Sequence, residues 1–318
     1  MLKPLGSTGV AIGPLVVGGN VFGWTIDEKR SFEVLDAFFA GGATMIDTAD
    51  AYYAYAPGNV GGESETIIGQ WMKARGNRDK IQVATKVGLL EINGEKGLKP
   101  ETIEAGVEAS LRRLQTDFID LYYAHSDDET VPQEDVVRTF DKLVQAGKVR
   151  LLGASNFSQA RLESALQISD EEGLAGYSVY QPQLNLMAAN AFPAKYREFC
   201  AKRKMGVLTF FALASGFLTG KYRKREDIEN SSRSSALSRY FNARGEAVLS
   251  ALDQVSSETG ATQAQIALAW IIATPGIAGP IVSATSVEQV QALLPAISLK
   301  LSAEQMASLD KAAATPTS

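Results

Sequence analysis

Ile81-Gln82-Val83-Ala84-Thr85-Lys86, a helical stretch over 100–114, and Phe118-Ile119-Asp120-Leu121-Tyr122-Tyr123-Ala124-His125 together decide the fold. The two outer runs are short and rich in β-branched or aromatic residues, as strands are. The stretch between them opens with Pro100 near its first helical position and carries its acids early and its arginines late, as the helix dipole favours. Strand, helix, strand in that order implies parallel pairing. The same unit recurs in both directions. Upstream, a short apolar run at 15–18 precedes a helix over 28–40 stopped by Gly41-Gly42, and 44–47 precedes a helix over 63–75. Downstream, helices over 136–146, 160–168 and 194–204 separate strands at 149–155, 177–181 and 206–211. A long polar connection, 221–239, leads to helices near 246–259 and 262–273, a last strand at 277–282 and a helix at 287–294. Eight strand–helix units with no linker-like break predict an α/β fold, a closed (β/α)8 TIM barrel forming a single domain over 1–318. The alternative is an open doubly wound sheet. Against it, Gly18-Gly19-Asn20-Val21-Phe22-Gly23 lacks the glycine spacing of a Rossmann fingerprint. Residues 2–13 predict an N-terminal β-hairpin plugging the barrel's N-terminal mouth, and the tail after Leu301 an extra C-terminal helix.

Composition narrows the function. The 318 residues are 45% hydrophobic and 21% charged, which excludes disordered, collagenous and disulfide-scaffold classes. A net charge of −5 without a basic block argues against nucleic acid and anionic membranes as partners. One cysteine, Cys200, allows no intrachain disulfide, and one histidine, His125, excludes multi-histidine metal sites; no metal is expected. No apolar run approaches the ~20 residues of a membrane span. The charge-free stretch 4–26 is broken by glycines and prolines and reads as a hairpin and strand rather than a signal peptide, so the cytoplasm is the expected compartment.

The polar residues fall at one place in this pattern. Asp47, Lys86, His125, Asn156 and Gln181 lie at or just past the C-terminal ends of successive strands, which ring one mouth in a barrel. Tyr52 follows Asp47 by five residues, on the loop over that mouth. Beside Lys86 its phenol would have a lowered pKa, Asp47 would pair with Lys86, and His125 would hydrogen-bond the phenol or a substrate oxygen. This is a general acid suited to a carbonyl oxygen that becomes an alkoxide. Lys86 also reads as half of a purely structural ion pair, and His125 as a hydrogen-bonded core histidine.

At this point the chain resembles the aldo/keto reductase superfamily over nearly its whole length. The residues that carry the resemblance are Asp47-Thr48-Ala49-x-x-Tyr52, Gly62-Glu63-Ser64-Glu65, Ala84-Thr85-Lys86, Asp120-Leu121-Tyr122-Tyr123-Ala124-His125, Gly147-Lys148-Val149-Arg150-x-x-Gly153-Ala154-Ser155-Asn156-Phe157, Gln181-Pro182-Gln183-Leu184-Asn185 and the run 213–221. It implies an NADP-dependent oxidoreductase that reduces an aldehyde or ketone, or oxidises an alcohol or sugar, with Tyr52 as proton donor and Asp47, Lys86 and His125 completing a catalytic tetrad. It implies NADPH as cofactor, with NAD possible, held without a Rossmann unit. Ser155, Asn156 and Gln181 would meet the carboxamide, and Phe210 would stack on the nicotinamide. Ala212, Leu213, Ser215, Gly216, Leu218 and Lys221 would wrap the pyrophosphate, with Arg233 clamping over it. Ser283, Thr285 and Gln289 would meet the adenosine end, while Gly19, Asn20, Val21 and Asp47 would border the ribose side.

Departures from the family pattern shape the expectations. Ser283-Ala284-Thr285-Ser286 carries no cation for a 2′-phosphate, Leu293 replaces an asparagine common near the adenine, and Ser126-Asp127-Asp128 follows His125 where a more basic sequence is usual. Trp24, Tyr52, Tyr53, His125 and Phe157 are the expected substrate-binding residues, with Tyr55, Phe192 and the 221–240 connection near them. They suggest a sugar, aromatic or other ring-bearing carbonyl substrate. Partners beyond a small molecule are not expected, and the chain would be a monomer or weak oligomer. Two other classes stay open. One is a lyase forming a Schiff base on Lys86. The other is a non-catalytic nicotinamide-binding subunit resembling the β subunits of voltage-gated potassium channels. Because the hairpin starts at residue 2 with no segment before it, a free-standing enzyme is the expectation.

Overall fold

The computed structural model describes residues 2–317 apart from 230 and 232. A two-stranded antiparallel hairpin, β1 (Lys3–Pro4) and β2 (Ala11–Ile12), precedes the barrel. The barrel strands are β3 (Val16–Gly18), β4 (Met45–Asp47), β5 (Gln82–Val87), β6 (Ile119–Ala124), β7 (Val149–Ser155), β8 (Tyr177–Gln181), β9 (Gly206–Thr209) and β10 (Gly279–Val282). All neighbours are parallel, and β10 pairs with both β9 and β3, which closes the ring and excludes the open sheet. Between strands lie α1 (Glu28–Ala40), α2 (Glu63–Arg75), α3 (Pro100–Leu114), α4 (Gln133–Gln145), α5 (Gln159–Glu172) and α6 (Ala194–Lys202). After β9 come α7 (Ser234–Ser238), α8 (Ala243–Thr259) and α9 (Gln263–Ala273); after β10 come α10 (Val287–Leu293) and α11 (Ala303–Ala313). Among the described residues no helix is long and apolar enough to cross a membrane.

Strand alternation sorts side chains between two cores. Ala84 on β5 and Leu121 and Tyr123 on β6 point into the barrel, whereas Val83, Val87 and Tyr122 pack against the helices. The hairpin closes the floor. Leu5 and Ile12 are fully buried against Val16, Met45, Leu121, Val179 and Leu208 inside the barrel. Gly6 makes this approach possible: its φ is +59°, and a Cβ there would lie 2.3 Å from the Gly206 amide nitrogen.

Helix ends follow capping more than apolar periodicity. Helix α5 outlasts its apolar stripe, from a Ser158 side-chain cap on the Arg161 amide to Gly173 at φ +67°. Helix α4 begins before its first apolar residue, just after Pro132. The short α7 lies in the connection expected to be irregular and buries only Leu237. Helix α11 lies over the outer layer, where Asp310 accepts a bond from the Trp270 indole at 2.8 Å.

Candidate active site

Asp47 ends β4 in register with Gly18 and Ala84, and Lys86 lies in register with Tyr123. Parity turns both side chains inward, and each is 1% exposed. Lys86 Nζ donates to Asp47 Oδ1 at 2.5 Å, to the Thr48 carbonyl at 2.7 Å and to Tyr52 Oη at 2.7 Å. Tyr52 Oη donates to the same Asp47 Oδ1 at 2.9 Å. The second carboxylate oxygen accepts from Gln181 Nε2 at 2.6 Å. A buried ion pair persists only when its remaining donors and acceptors are satisfied, and here both partners are saturated. The loop carrying Tyr52 is tied down beneath, where Thr48 Oγ1 and Ser64 Oγ share a bond at 2.8 Å and Ser64 Oγ donates to the Gly19 carbonyl at 2.8 Å.

Burial and the Asp47 carboxylate hold the Tyr52 phenol well above its ordinary pKa. This corrects the expected lowering: the ammonium divides its charge with Asp47, so desolvation and the carboxylate prevail over it. Desolvation also lowers the Lys86 pKa, with Asp47 opposing. His125 follows β6; its amide donates to the Val87 carbonyl at 3.0 Å, and its own carbonyl accepts from Asn156 Nδ2 at 2.9 Å. Its ring stands edge-on to Tyr52 with centroids 6.1 Å apart, and its buried Nδ1 has no partner. Burial first, then Lys86, pushes the imidazole down to about 3, so it is neutral at pH 7.

The other predicted residues surround this centre unevenly. Ser155 Oγ donates to the Gln181 carbonyl at 2.9 Å, and Asn156 adopts φ 55° with its amide also on Ser155 Oγ. Phe210 packs at the upper end of the inner core. From there the backbone makes a cradle: Phe211, Ala214, Ser215 and Gly216 have φ of 55°, 47°, 58° and 97°. Non-glycine residues enter this region at about 1–3 kcal/mol each, and the turn is closed on itself, with the Ala214 amide donating to the Phe211 carbonyl at 2.8 Å and the Gly216 amide to the Leu213 carbonyl at 2.9 Å. Ala212, Leu218 and Val21 bury their side chains. Leu213 and Lys221 flank the cradle, the latter exposed with Nζ 4.8 Å from the Tyr222 ring centre. Ser283 hydrogen-bonds Asn20 beside Gly18 and Gly19, and Gln289 folds back to accept from the Thr285 amide at 2.8 Å. A Cβ on Gly19 would sit 2.7 Å from Ser64 Oγ.

Over the mouth, Trp24 stacks on Tyr53 at 3.4 Å, and Tyr53 meets Tyr55 at 5.3 Å. The Arg233 guanidinium stands 5.9 Å over Trp24, so the 221–239 connection reaches across to the loop after β3. Phe157 and Phe192 are not brought to this wall. They are 5% and 0% exposed and belong to the outer core, where the Phe157 carbonyl accepts from Tyr180 at 2.9 Å and Tyr196 at 3.2 Å.

Two features of the site carry no side-chain signal: Thr48 acts through its carbonyl, and the cradle through its dihedral angles.

Comparison with known proteins agrees with this geometry. The aldo/keto reductase family matches residues 14–314. A probable voltage-gated potassium channel subunit beta of Arabidopsis thaliana is 31% identical, covering 93% of this chain and 90% of its own length. Norsolorinic acid reductase of Aspergillus flavus is 31% identical over 96% of this chain and 79% of its own. Aldo-keto reductase YhdN of Bacillus subtilis is 32% identical over 84% and 78%. With its hairpin-plugged barrel and its match along nearly the full chain, the protein is an oxidoreductase and belongs to the aldo/keto reductase family.

Proposed function

We propose that this protein reduces a ring-bearing aldehyde or ketone with NADPH, using Tyr52 as the general acid. The observation that carries this reading is the Tyr52 hydroxyl held between the Lys86 ammonium at 2.7 Å and the Asp47 carboxylate at 2.9 Å, beside an unpartnered, neutral His125. A bound reduced nicotinamide supplies hydride to the carbonyl carbon. Tyr52 donates its proton to the carbonyl oxygen, and the phenolate left behind is stabilised by Lys86 Nζ. Asp47 keeps Lys86 charged in its buried position, and Gln181 holds Asp47 from across the barrel. Neutral His125 orients the substrate oxygen by a hydrogen bond rather than by charge.

A diphosphate would lie against the cradle over Phe211–Gly216, with Leu213, Ser215, Lys221, Ala212 and Leu218 around it. Ser155 and Asn156 would hold the carboxamide, Phe210 would face the nicotinamide, and Asn20, Ser283, Thr285 and Gln289 the adenosine end, with Arg233 over the bridge. Trp24, Tyr53 and Tyr55 offer an aromatic wall to the substrate. One relative is named a norsolorinic acid reductase. Lys86 is a poor Schiff-base nucleophile here, because all three of its N–H bonds already have acceptors.

The test is a panel of aldehydes and ketones with NADPH and with NADH, followed by loss of nicotinamide absorbance. Turnover with NADPH preferred is the expected result. Tight NADPH binding without turnover of any carbonyl would overturn it in favour of a non-catalytic nicotinamide-binding subunit; the Arabidopsis relative is named a probable voltage-gated potassium channel subunit beta.

A further inference from the structure

Behind β5, on the side facing the helices, a second group of ionisable side chains is enclosed. Asp50 and Glu65 are both fully buried there. Glu65, on α2, is satisfied: Thr85 Oγ1 donates to Oε1 at 2.5 Å, and Arg113 Nε, from α3, donates to Oε2 at 2.6 Å. Neither Asp50 oxygen meets a side-chain donor, the Ala51 backbone amide being the one hydrogen-bonding group that favours its charged form, and the nearby Tyr122 hydroxyl from β6 is buried without a partner as well. The groups facing Asp50 are therefore Glu65, Arg113, Tyr122 and, through the sheet, Lys86 with its partners Asp47 and Tyr52. Two carboxyl groups share one guanidinium, and that guanidinium is engaged by Glu65. A buried carboxylate without side-chain donors is costly, whereas a neutral acid is tolerated.

We propose that Asp50 carries a proton near neutral pH and that it is a positioning residue whose ionisation tunes the Lys86–Tyr52 pair. Asp50 lies two residues before Tyr52, and its amide donates to the Lys86 carbonyl at 3.4 Å, so it is attached to both members. Burial and then Glu65 push the Asp50 carboxyl up to about 8, with Arg113 opposing. Below that value the pair sees only Glu65 balanced by Arg113. Above it, Asp50 releases its proton to solvent and a second negative charge appears behind Lys86. Lys86 then holds its proton more tightly, and the Tyr52 phenol gives up its own less readily. Reduction slows as a result. This kinetic consequence rests on Tyr52 being the proton donor; the protonation of Asp50 does not.

The experiment has two arms on the intact protein. Infrared difference spectra from about pH 6.5 to about pH 9.5 should show a protonated-carboxyl stretch lost in the wild type near its shifted midpoint. The same stretch should be absent from Asp50→Asn and shifted to lower pH in Glu65→Gln. In parallel, wild-type kcat for reduction should fall by about ten-fold across this midpoint, the scale of one unit charge acting over a Debye length through protein. Asp50→Asn should lack that step while matching wild type near neutrality. No carboxyl band in the wild type overturns the protonated Asp50, whatever the activity, and needs no variant to fold. A band that titrates while the wild-type and Asp50→Asn profiles superimpose overturns the coupling.

Discussion

Replacing Tyr52 with phenylalanine separates chemistry from architecture. The change removes one hydroxyl, which donates to Asp47 at 2.9 Å and accepts from Lys86 at 2.7 Å. The ammonium keeps Asp47 at 2.5 Å and the Thr48 carbonyl at 2.7 Å, and the carboxylate keeps Gln181 at 2.6 Å. Neither charge is orphaned. The lost bonds contribute about 1–3 kcal/mol to stability, offset in part because the phenol no longer has to be desolvated. A net change near 1 kcal/mol corresponds to a melting shift of roughly 2 °C in a chain of this size. Catalysis is affected far more. A positioned general acid typically contributes about 10²–10⁴-fold, or roughly 3–5 kcal/mol of barrier. Urea unfolding, fluorescence titration with NADPH and single-turnover carbonyl reduction would measure the three quantities on one sample. Cofactor affinity and stability should stay close to wild type while the hydride-transfer rate falls at least a hundred-fold. A variant reducing carbonyls within ten-fold of wild type would falsify the assignment of Tyr52.

Three further outcomes follow from the geometry. His125 has its folded pKa lowered to about 3, so the unfolded chain binds the extra proton first and stability falls as pH drops below the unfolded value near 6.5. Urea unfolding at pH 7 and pH 5 should show about 2 kcal/mol of this loss in wild type and none of it in His125→Asn. Gly216→Val forces a β-branched residue to φ 97° in the cradle, and fluorescence titration should show NADPH affinity weakened by about ten-fold or more; unchanged affinity would remove the cradle from the cofactor site. Ile12→Ala opens a cavity under the barrel floor, where the side chain is fully buried, and chemical denaturation should register a loss of about 2–5 kcal/mol, with a loss under 1 kcal/mol refuting the plug.

Much of this was legible in the order of residues because a barrel converts sequence position into place. Each strand of a parallel barrel ends at the same rim, so an acid after Ile46 and an amine after Thr85 must meet there. The hairpin plug was legible for a similar reason, since a glycine-rich apolar stretch before the first strand has the barrel floor within reach. Protonation was not legible. Lys86 suggested a lowered phenol pKa, but burial and Asp47 reverse the direction, and neither depth nor hydrogen-bond sharing is written in a pattern of residue types. Phe157 was misplaced because a residue just past a strand can turn outward under the next helix, where it meets Tyr177. The handedness of the backbone at Phe211 and Ser215 had no signal, because neither is a residue type that announces a positive φ.

The bond between Asp47 and Gln181 has a bearing on assembly. Their strands, β4 and β8, lie four steps apart in an eight-membered ring, at opposite points of its circumference. A nascent sheet holding only the first few repeats therefore cannot complete the carboxylate's coordination, however well those repeats pack locally. Turnover should therefore report ring closure: fragments split between β6 and β7 should each be inert and regain activity only when mixed.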